Sequence, residues 1–383
     1  MGSDWACLPK HLLDSILEKI LSPSGCIRFN AVCMPWYCVA QDNKRKFEEM
    51  YSSCHNPPLP LIQTAKKRDW NIYSPMEDKV LGLQLNFPKK RLCGSSKGWL
   101  IAMNMDLVVT LINPFLWIKG RKKREDSLID LPPLARLPER EMSVQINCIL
   151  VIKATMSTDP ILDVDKCIVL VIHEHGKLAF IRLKDKDTSP WTYIDQRRNI
   201  QYQDVVHVGD KFYVVEEWGR LSSFDIATQS ISNKQLVAGD YMEFDEVVKA
   251  YIVVLNDNEL WMVQRGFKFN TGRVTTLVRI FKLNSDKCEW VETKTLGDLA
   301  FFLGDNFSIS VKASNFPGCM PNCIYFNYDY DRINSYPKNR LSDDYCVYNV
   351  ESRSFSQPYT REAKKLLEKT MQPSFWVVPT LRL

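Results

Sequence analysis

No apolar run in this 383-residue chain is long enough to cross a bilayer; the longest, such as IVLVI at 168–172, fall far below the roughly 20 residues a spanning helix needs. A secretory leader is missing too, because MGSDWA has no basic segment leading into an apolar one. Ala6 stands where a myristoylation signal requires Ser or Thr. These absences point to a soluble protein with no membrane partner, resident in the nucleus, the cytoplasm or both.

Neither sign of charge dominates: 50 basic against 45 acidic residues leave a net charge of +5, too little to imply a nucleic-acid partner. The basic runs at Lys44–Lys46, Lys66–Arg68, Lys89–Arg91 and Lys119–Arg124 lack interleaved aromatics. They read as solvated loops and helix ends, Lys119–Arg124 being also a candidate nuclear import signal.

Chemistry-bearing patterns are equally scarce. The twelve cysteines are irregularly placed, and the closest pairs, Cys33-x4-Cys38 and Cys319-x3-Cys323, have no second pair or histidines at zinc spacing. They are expected as free thiols packing as small apolar groups. His173-Glu174-His175, beside Gly176, reads as a surface turn. No Gly-rich phosphate loop, Gly-x-Ser-x-Gly elbow or His-Glu-x-x-His is present. The carboxylates at Glu216-Glu217, Asp329–Asp331 and Asp343-Asp344 read as solvated turns. No catalytic, metal-binding or cofactor-binding residue is therefore expected.

What the chain does have is a helical prefix before a strand-rich remainder. In DWACLPKHLLDSILEKIL, residues 4–21, the apolar side chains Leu8, Leu12, Leu13, Ile16, Leu17, Ile20 and Leu21 fall on one wide helical face. Lys10, Asp14, Glu18 and Lys19 lie opposite, and Pro9 suits the first helical position. A second helix is predicted from Ser22-Pro23, carrying Ile27, Phe29, Val32 and Cys33. Pro35 opens a third, with Trp36, Val39 and Ala40. Three helices in so short a stretch cannot bury their own apolar faces well. The unit is either a cap packed on the rest of the chain or a module that docks on another protein.

Behind it the pattern changes to period-two runs cut by turns. The strings SKGWLI (96–101), GKLAFI (176–181), DKFYVV (210–215) and NELWMV (258–263) share a turn residue, a polar residue and an apolar–aromatic strand; NCIYFN (322–327) is a degenerate fifth. Hairpins follow, as in VVHV-GD-KFYVVE running on to RLSSFDI and in YIVVL-NDN-ELWMVQ, with a further blade expected near Val144–Ile152. The fold class predicted is a small all-α unit followed by a mainly-β domain, a β-propeller of about six blades, with five or seven open and an irregular β-sandwich pair as the alternative. The boundaries read are 1–46 for the helices, 47–79 for a polar connector with a possible strand at Leu59–Gln63, and 80–383 for the β domain. FWVV at 375–378 is expected to close the ring against 59–63 or 80–85, after a short helix at 361–369.

Leu8-Pro9, Leu12-Leu13, Ile16-Leu17, Arg28-Phe29, Val32-Cys33 and Trp36 together resemble the F-box, although Tyr37 stands where that family commonly has arginine and no acidic residue lies around Ser24. The resemblance implies docking on a Skp-type adaptor, and through it on cullin and RING subunits. Leu8, Pro9, Leu12, Leu13, Ile16, Leu17, Val32, Cys33 and Trp36 are the implied contact residues, some of them facing the module's own core. CGSSKGWLI, LINPF (111–115) and GDKFYVVEEWGRLSSFDI are similar to the kelch- or propeller-like β domain found behind the F-box in a large group of plant proteins, without the kelch double glycine. Asn113-Pro114 reads there as a turn after a strand, and Gly98 as a site of close backbone approach. The implied function is target recognition in an SCF (Skp–cullin–F-box) ubiquitin ligase, with no catalysis by this chain. Trp218, Arg265, Phe267 and Tyr330, read as exposed residues of blade loops, are the candidate contacts to the protein target. The alternative is a propeller-type enzyme or carbohydrate-binding module capped by the helices.

Overall fold

The computed structural model describes residues 5, 8–20, 29, 32–43, 59–63, 69–74, 79–86, 90–104, 106–113, 128–134, 151–173, 176–188, 190–194, 200–216, 218–225, 235–239, 247–255, 259–269, 273–316, 318–327, 346–356 and 375–377. Among them no helix is long and apolar enough to cross a membrane.

Helix α1 spans Lys10–Glu18, with Pro9 as its N-cap (φ −57°, ψ 146°) rather than its first helical residue. The missing N–H of proline is harmless there, and its carbonyl accepts hydrogen bonds from the N–H groups of Leu12 (3.0 Å) and Leu13 (3.2 Å). Helix α2 spans Met34–Asp42 and carries Pro35 in its first turn, where a fixed φ suits the helix. Of the helix expected from Ser22, only Phe29, Val32 and Cys33 are described; Phe29 is helical, whereas Val32 and Cys33 lie between it and α2, outside any helix. Leu13 and Leu17 of α1 pack with Phe29, Trp36, Val39 and Ala40. Phe29 and Trp36 rings lie 4.6 Å apart, and Lys10 pairs with Asp42 across the helices at 2.6 Å.

Among the described residues the strands form five sheets, the eight-stranded one joining two four-stranded blades through a parallel contact at Gly94 and Ala154, and together they make six blades of a β-propeller in chain order. Blade one holds β1 (Leu59–Gln63), β2 (Asp69–Ser74) and β3 (Lys79–Asn86), so two of its strands fall in the stretch read as a connector. Blade two comprises β4 (Arg91–Ser96), β5 (Trp99–Met103), β6 (Val108–Ile112) and β7 (Leu128–Pro133). Blade three follows with β8 (Val151–Met156), β9 (Ile168–His173), β10 (Lys177–Arg182) and β11 (Thr192–Ile194). β12 (Tyr202–Val208), β13 (Lys211–Glu216), β14 (Leu221–Phe224) and β15 (Gln235–Ala238) make blade four. Blade five has the longest strands, β16 (Val247–Leu255), β17 (Glu259–Phe269) and β18 (Arg273–Asn284), with β19 (Glu289–Thr293) outermost.

Blade six departs from the simple order. It is built from β20 (Leu299–Gly304), β21 (Phe307–Lys312), β22 (Cys323–Phe326), β23 (Cys346–Asn349) and β24 (Ser354–Ser356), arranged β21-β20-β22-β23-β24. The NCIYFN string therefore pairs in parallel with β20 instead of forming a hairpin as the other four copies do. Inner strands β4, β8, β12, β16 and β21 touch in succession around the axis. The last strand, β25 (Phe375–Val377), completes blade one by pairing Leu59 with Val377, Pro60 with Trp376 and Leu61 with Phe375. The C-terminal strand thus closes the ring.

Each blade is sandwiched between two others, so strands such as WLIAM (β5) and IVLVIH (β9) are buried at every position rather than at alternate ones. The apolar cores lie between neighbouring blades: Trp99, Met103, Val151 and Val169 join blades two and three, and Tyr251, Trp261, Phe301 and Phe326 join five and six. In the CGSS-KG-W motif a close backbone approach is made at Gly94. A Cβ on Gly94 would stand 2.6 Å from the Ala154 carbonyl oxygen, where β4 meets β8. Lys97 (φ 52°) and Gly98 (φ 83°) supply the two positive-φ positions of the hairpin turn joining Ser96 to Trp99.

Candidate functional site

Two surfaces could carry a function: the helical unit and the propeller. In the helical unit the structure divides the nine residues named from the sequence. Leu13, Leu17 and Trp36 are buried in its own core, with Trp36 Nε1 donating to the Trp5 carbonyl at 2.8 Å. Leu8, Ile16 and Cys33 are half-buried against that core, and Pro9 is exposed. Leu12 and Val32 keep 43% and 44% of their surface in water, and Trp5 keeps 59%. An amphipathic helix with a face wider than its small core can cover leaves such a remainder, and apolar side chains left in water favour a partner.

The three described candidates for target contact do not form one exposed surface. Trp218 is 42% exposed in the turn between β13 and β14. Tyr330 lies outside the described residues. Arg265 and Phe267 are not in a loop: β17 runs on through Phe269, so both sit within the strand, buried at 1% and 4% exposure. Arg265 Nε donates to Thr275 Oγ1 at 2.9 Å, and its guanidinium lies 4.2 Å from the Phe326 ring and 5.0 Å from the Phe267 ring. A planar cation over aromatic faces is a packing element of the seam between blades five and six.

Sequence reasoning missed the polar centre of the propeller. Lys153 interrupts the apolar inner strand VIKATM, and its ammonium lies 2.7 Å from Asp204 Oδ1, with side-chain exposures of 6% and 1%. Lys153 also donates to Ser308 Oγ at 3.0 Å, and Ser308 donates to Asp204 Oδ2 at 2.9 Å. The N–H groups of Val205 (2.7 Å) and Ile252 (2.9 Å) complete the shell of the carboxylate. Blades three, four, five and six are thereby joined through one ion pair. Lys249 and Asp305 form a second link, from β16 to the turn before β21. A carboxylate whose oxygens are this fully engaged is suited to holding blades together, not to proton transfer. The only signal in the sequence is a lysine and an aspartate standing among apolar strand residues.

His173 corrects the reading of a surface turn. It ends β9, is 1% exposed, and meets the Tyr193 ring edge-on at 5.4 Å; Glu174 and His175 lie outside the described residues. Its Nε2 has no partner among the described residues. Burial, aided by nearby Lys177, pushes its pKa down to about 4. The unfolded chain, with histidine near 6.5, takes up this proton between pH 6.5 and 4 while the folded protein does not, so stability falls as pH drops through that window. Unfolding followed by denaturant at pH 7 and pH 5 should register a loss of about 2 kcal/mol from this residue. His173→Leu should remove that part of the slope, and an unchanged slope would contradict the assignment. Among the thiols, burial raises Cys93 and Cys167 to about 12 and Cys319 to about 11, so they stay protonated and packed.

Comparisons with known proteins agree with this geometry. The family described as KIB1-4 beta-propeller matches residues 72–349. The F-box protein At2g17036 of Arabidopsis thaliana is 24% identical over 346 residues, covering 84% of this chain and 81% of its own. The F-box protein SKIP23 of the same plant is 25% identical over 367 residues, covering 85% and 84%.

Proposed function

The chain belongs to the KIB1-4 β-propeller family, and we propose that it is the target-recognising subunit of an SCF ubiquitin ligase. F-box proteins resemble it over most of its length. In this reading the helices dock on a Skp-type adaptor, which carries cullin and RING subunits, and the propeller holds the protein to be ubiquitinated. The chain performs no covalent chemistry. It raises the effective concentration of a target lysine near a charged ubiquitin carrier. Such a complex would work in the nucleus or the cytoplasm.

The exposure of Leu12 and Val32 beside a filled helical core is the observation that carries the adaptor contact. Leu8, Pro9, Leu12, Ile16, Val32 and Cys33 would meet the adaptor, while Leu13, Leu17 and Trp36 shape the surface from beneath. Burying a leucine or valine contributes about 1.5–3 kcal/mol, and a buried unpaired carboxylate opposes binding further, so Leu12→Asp with Val32→Asp should weaken binding to a purified Skp-type adaptor by about 100-fold or more. Circular dichroism should be unchanged in that variant, whereas Leu13→Ala should lower helix content as well as binding. Wild-type protein that fails to bind the adaptor would sink this reading.

A further inference from the structure

A cleft of about 340 Å³ opens between blades five and six, away from the axis. One wall is formed by Thr276–Ile280 in unbroken succession. Strand residues point alternately to the two faces of a sheet, so a wall of five consecutive residues is the edge of a strand rather than a face. Among the described residues, the pairing of β18 accounts for such an edge. Its pairing with β19 begins at Ile280 opposite Thr293 and runs only toward Asn284. On its other side β17 continues to pair with it as far as Arg273. Among the described residues no strand pairs with β18 on the β19 side before Ile280.

Blade six supplies the opposite wall, where Tyr348, Val350, Arg353 and Phe355 line the cleft, Phe355 being 44% exposed. Charge on the lining is one-sided. Arg279 is neutralised by a bidentate pair with Glu292 (3.1 and 2.5 Å), leaving Lys294 and Arg353 as exposed cations on the rim. The Arg279 hydrogen bond, reinforced by Lys294 and Arg353, keeps the Glu292 carboxyl below its usual range. The site thus offers a backbone edge, an aromatic floor and two surplus positive charges.

We propose that this cleft receives an extended acidic segment of the target protein, added as a strand along Leu277 and Val278 in the line of β19, with its carboxylates toward Lys294 and Arg353. Main-chain pairing supplies the affinity and the alternate side chains the selection: one set packs on Tyr348 and Phe355, the other reaches the cations. The proposal rests on the propeller being the target-binding part of the chain.

A fluorescent peptide of alternating glutamate and valine, titrated against the full-length protein by anisotropy, tests it. Saturable binding that weakens with added salt is expected. Lys294→Glu with Arg353→Glu should weaken it by about tenfold, the loss of two ion pairs and their reversal. Methylating alternate backbone nitrogens of the peptide, with its charge kept, should weaken it comparably. Equal binding of a lysine–valine peptide, unaltered affinity of the double variant, or no saturable binding would overturn the assignment. Adaptor binding by the wild-type protein, measured beside the peptide titration, separates the two readings. If the adaptor is retained while the peptide fails, the cleft assignment alone falls; if wild type binds the peptide but no adaptor, the ligase reading falls and the cleft stands.

Discussion

Lys153→Met is expected to destabilise the propeller by about 3–5 kcal/mol, because it leaves the Asp204 carboxylate charged and buried without its counter-ion. Methionine matches the length of lysine, so little packing volume is lost and the change isolates the charge. The effect should spread beyond one blade, since Asp204 also accepts from Ser308 of blade six and from the Ile252 N–H of blade five. A melting temperature lower by roughly 4–6 °C is the readout. Adding Asp204→Asn should recover part of the loss: the amide carries no charge and its oxygen still accepts one of the backbone N–H groups. Full recovery is not expected, because the second N–H is stranded. A single variant as stable as wild type would show that the pair does not tie the blades.

Trp376→Ala is expected to be of similar size, about 3–5 kcal/mol, by the cavity it opens. Trp376 is 1% exposed and meets the Phe302 ring edge-on at 5.0 Å. Its Nε1 donates to the Leu303 carbonyl at 3.3 Å, and its own carbonyl accepts from Asn306 Nδ2 at 3.1 Å. One side chain therefore fastens β25, in blade one, to blade six, and the ring opens where it is lost. Limited proteolysis should then cut the chain at its C-terminal end before the remaining blades are attacked. Trp376→Phe, which keeps most of the volume but loses the indole donor, should cost less than half as much. Melting and cleavage unchanged in Trp376→Ala would mean that closure does not depend on β25.

These two sites differ in how far the sequence discloses them. The pairing of FWVV with 59–63 is legible because both segments are short apolar runs left over at the ends of the hairpin series, and a propeller needs a closing strand. Lys153 is not legible, since one lysine in a strand is read as facing solvent unless its surroundings are known. Arg265 and His173 fail for the same reason in opposite guises. A polar residue next to a glycine or an aromatic was read as a turn, yet β17 and β9 extend through those positions and carry them into blade interfaces. In the helical unit the periodicity identifies the apolar face of α1 as a whole, but not which of its members turn inward.

Local chemistry was enough to determine the apolar face of α1 and the four regular hairpins. The 3.6-residue spacing of Leu8 to Leu21, the period-two hairpins, and turns such as Lys97-Gly98 and Gly209-Asp210 all act between neighbours in the chain. Stacking of blades around an axis decided the rest. It brought Lys153 to Ser308 across 155 residues, put both faces of strands such as β5 and β9 out of water, and set the part of β18 that runs beyond β19 beside blade six. Such contacts depend on where whole sheets come to lie, and no spacing along the chain encodes them.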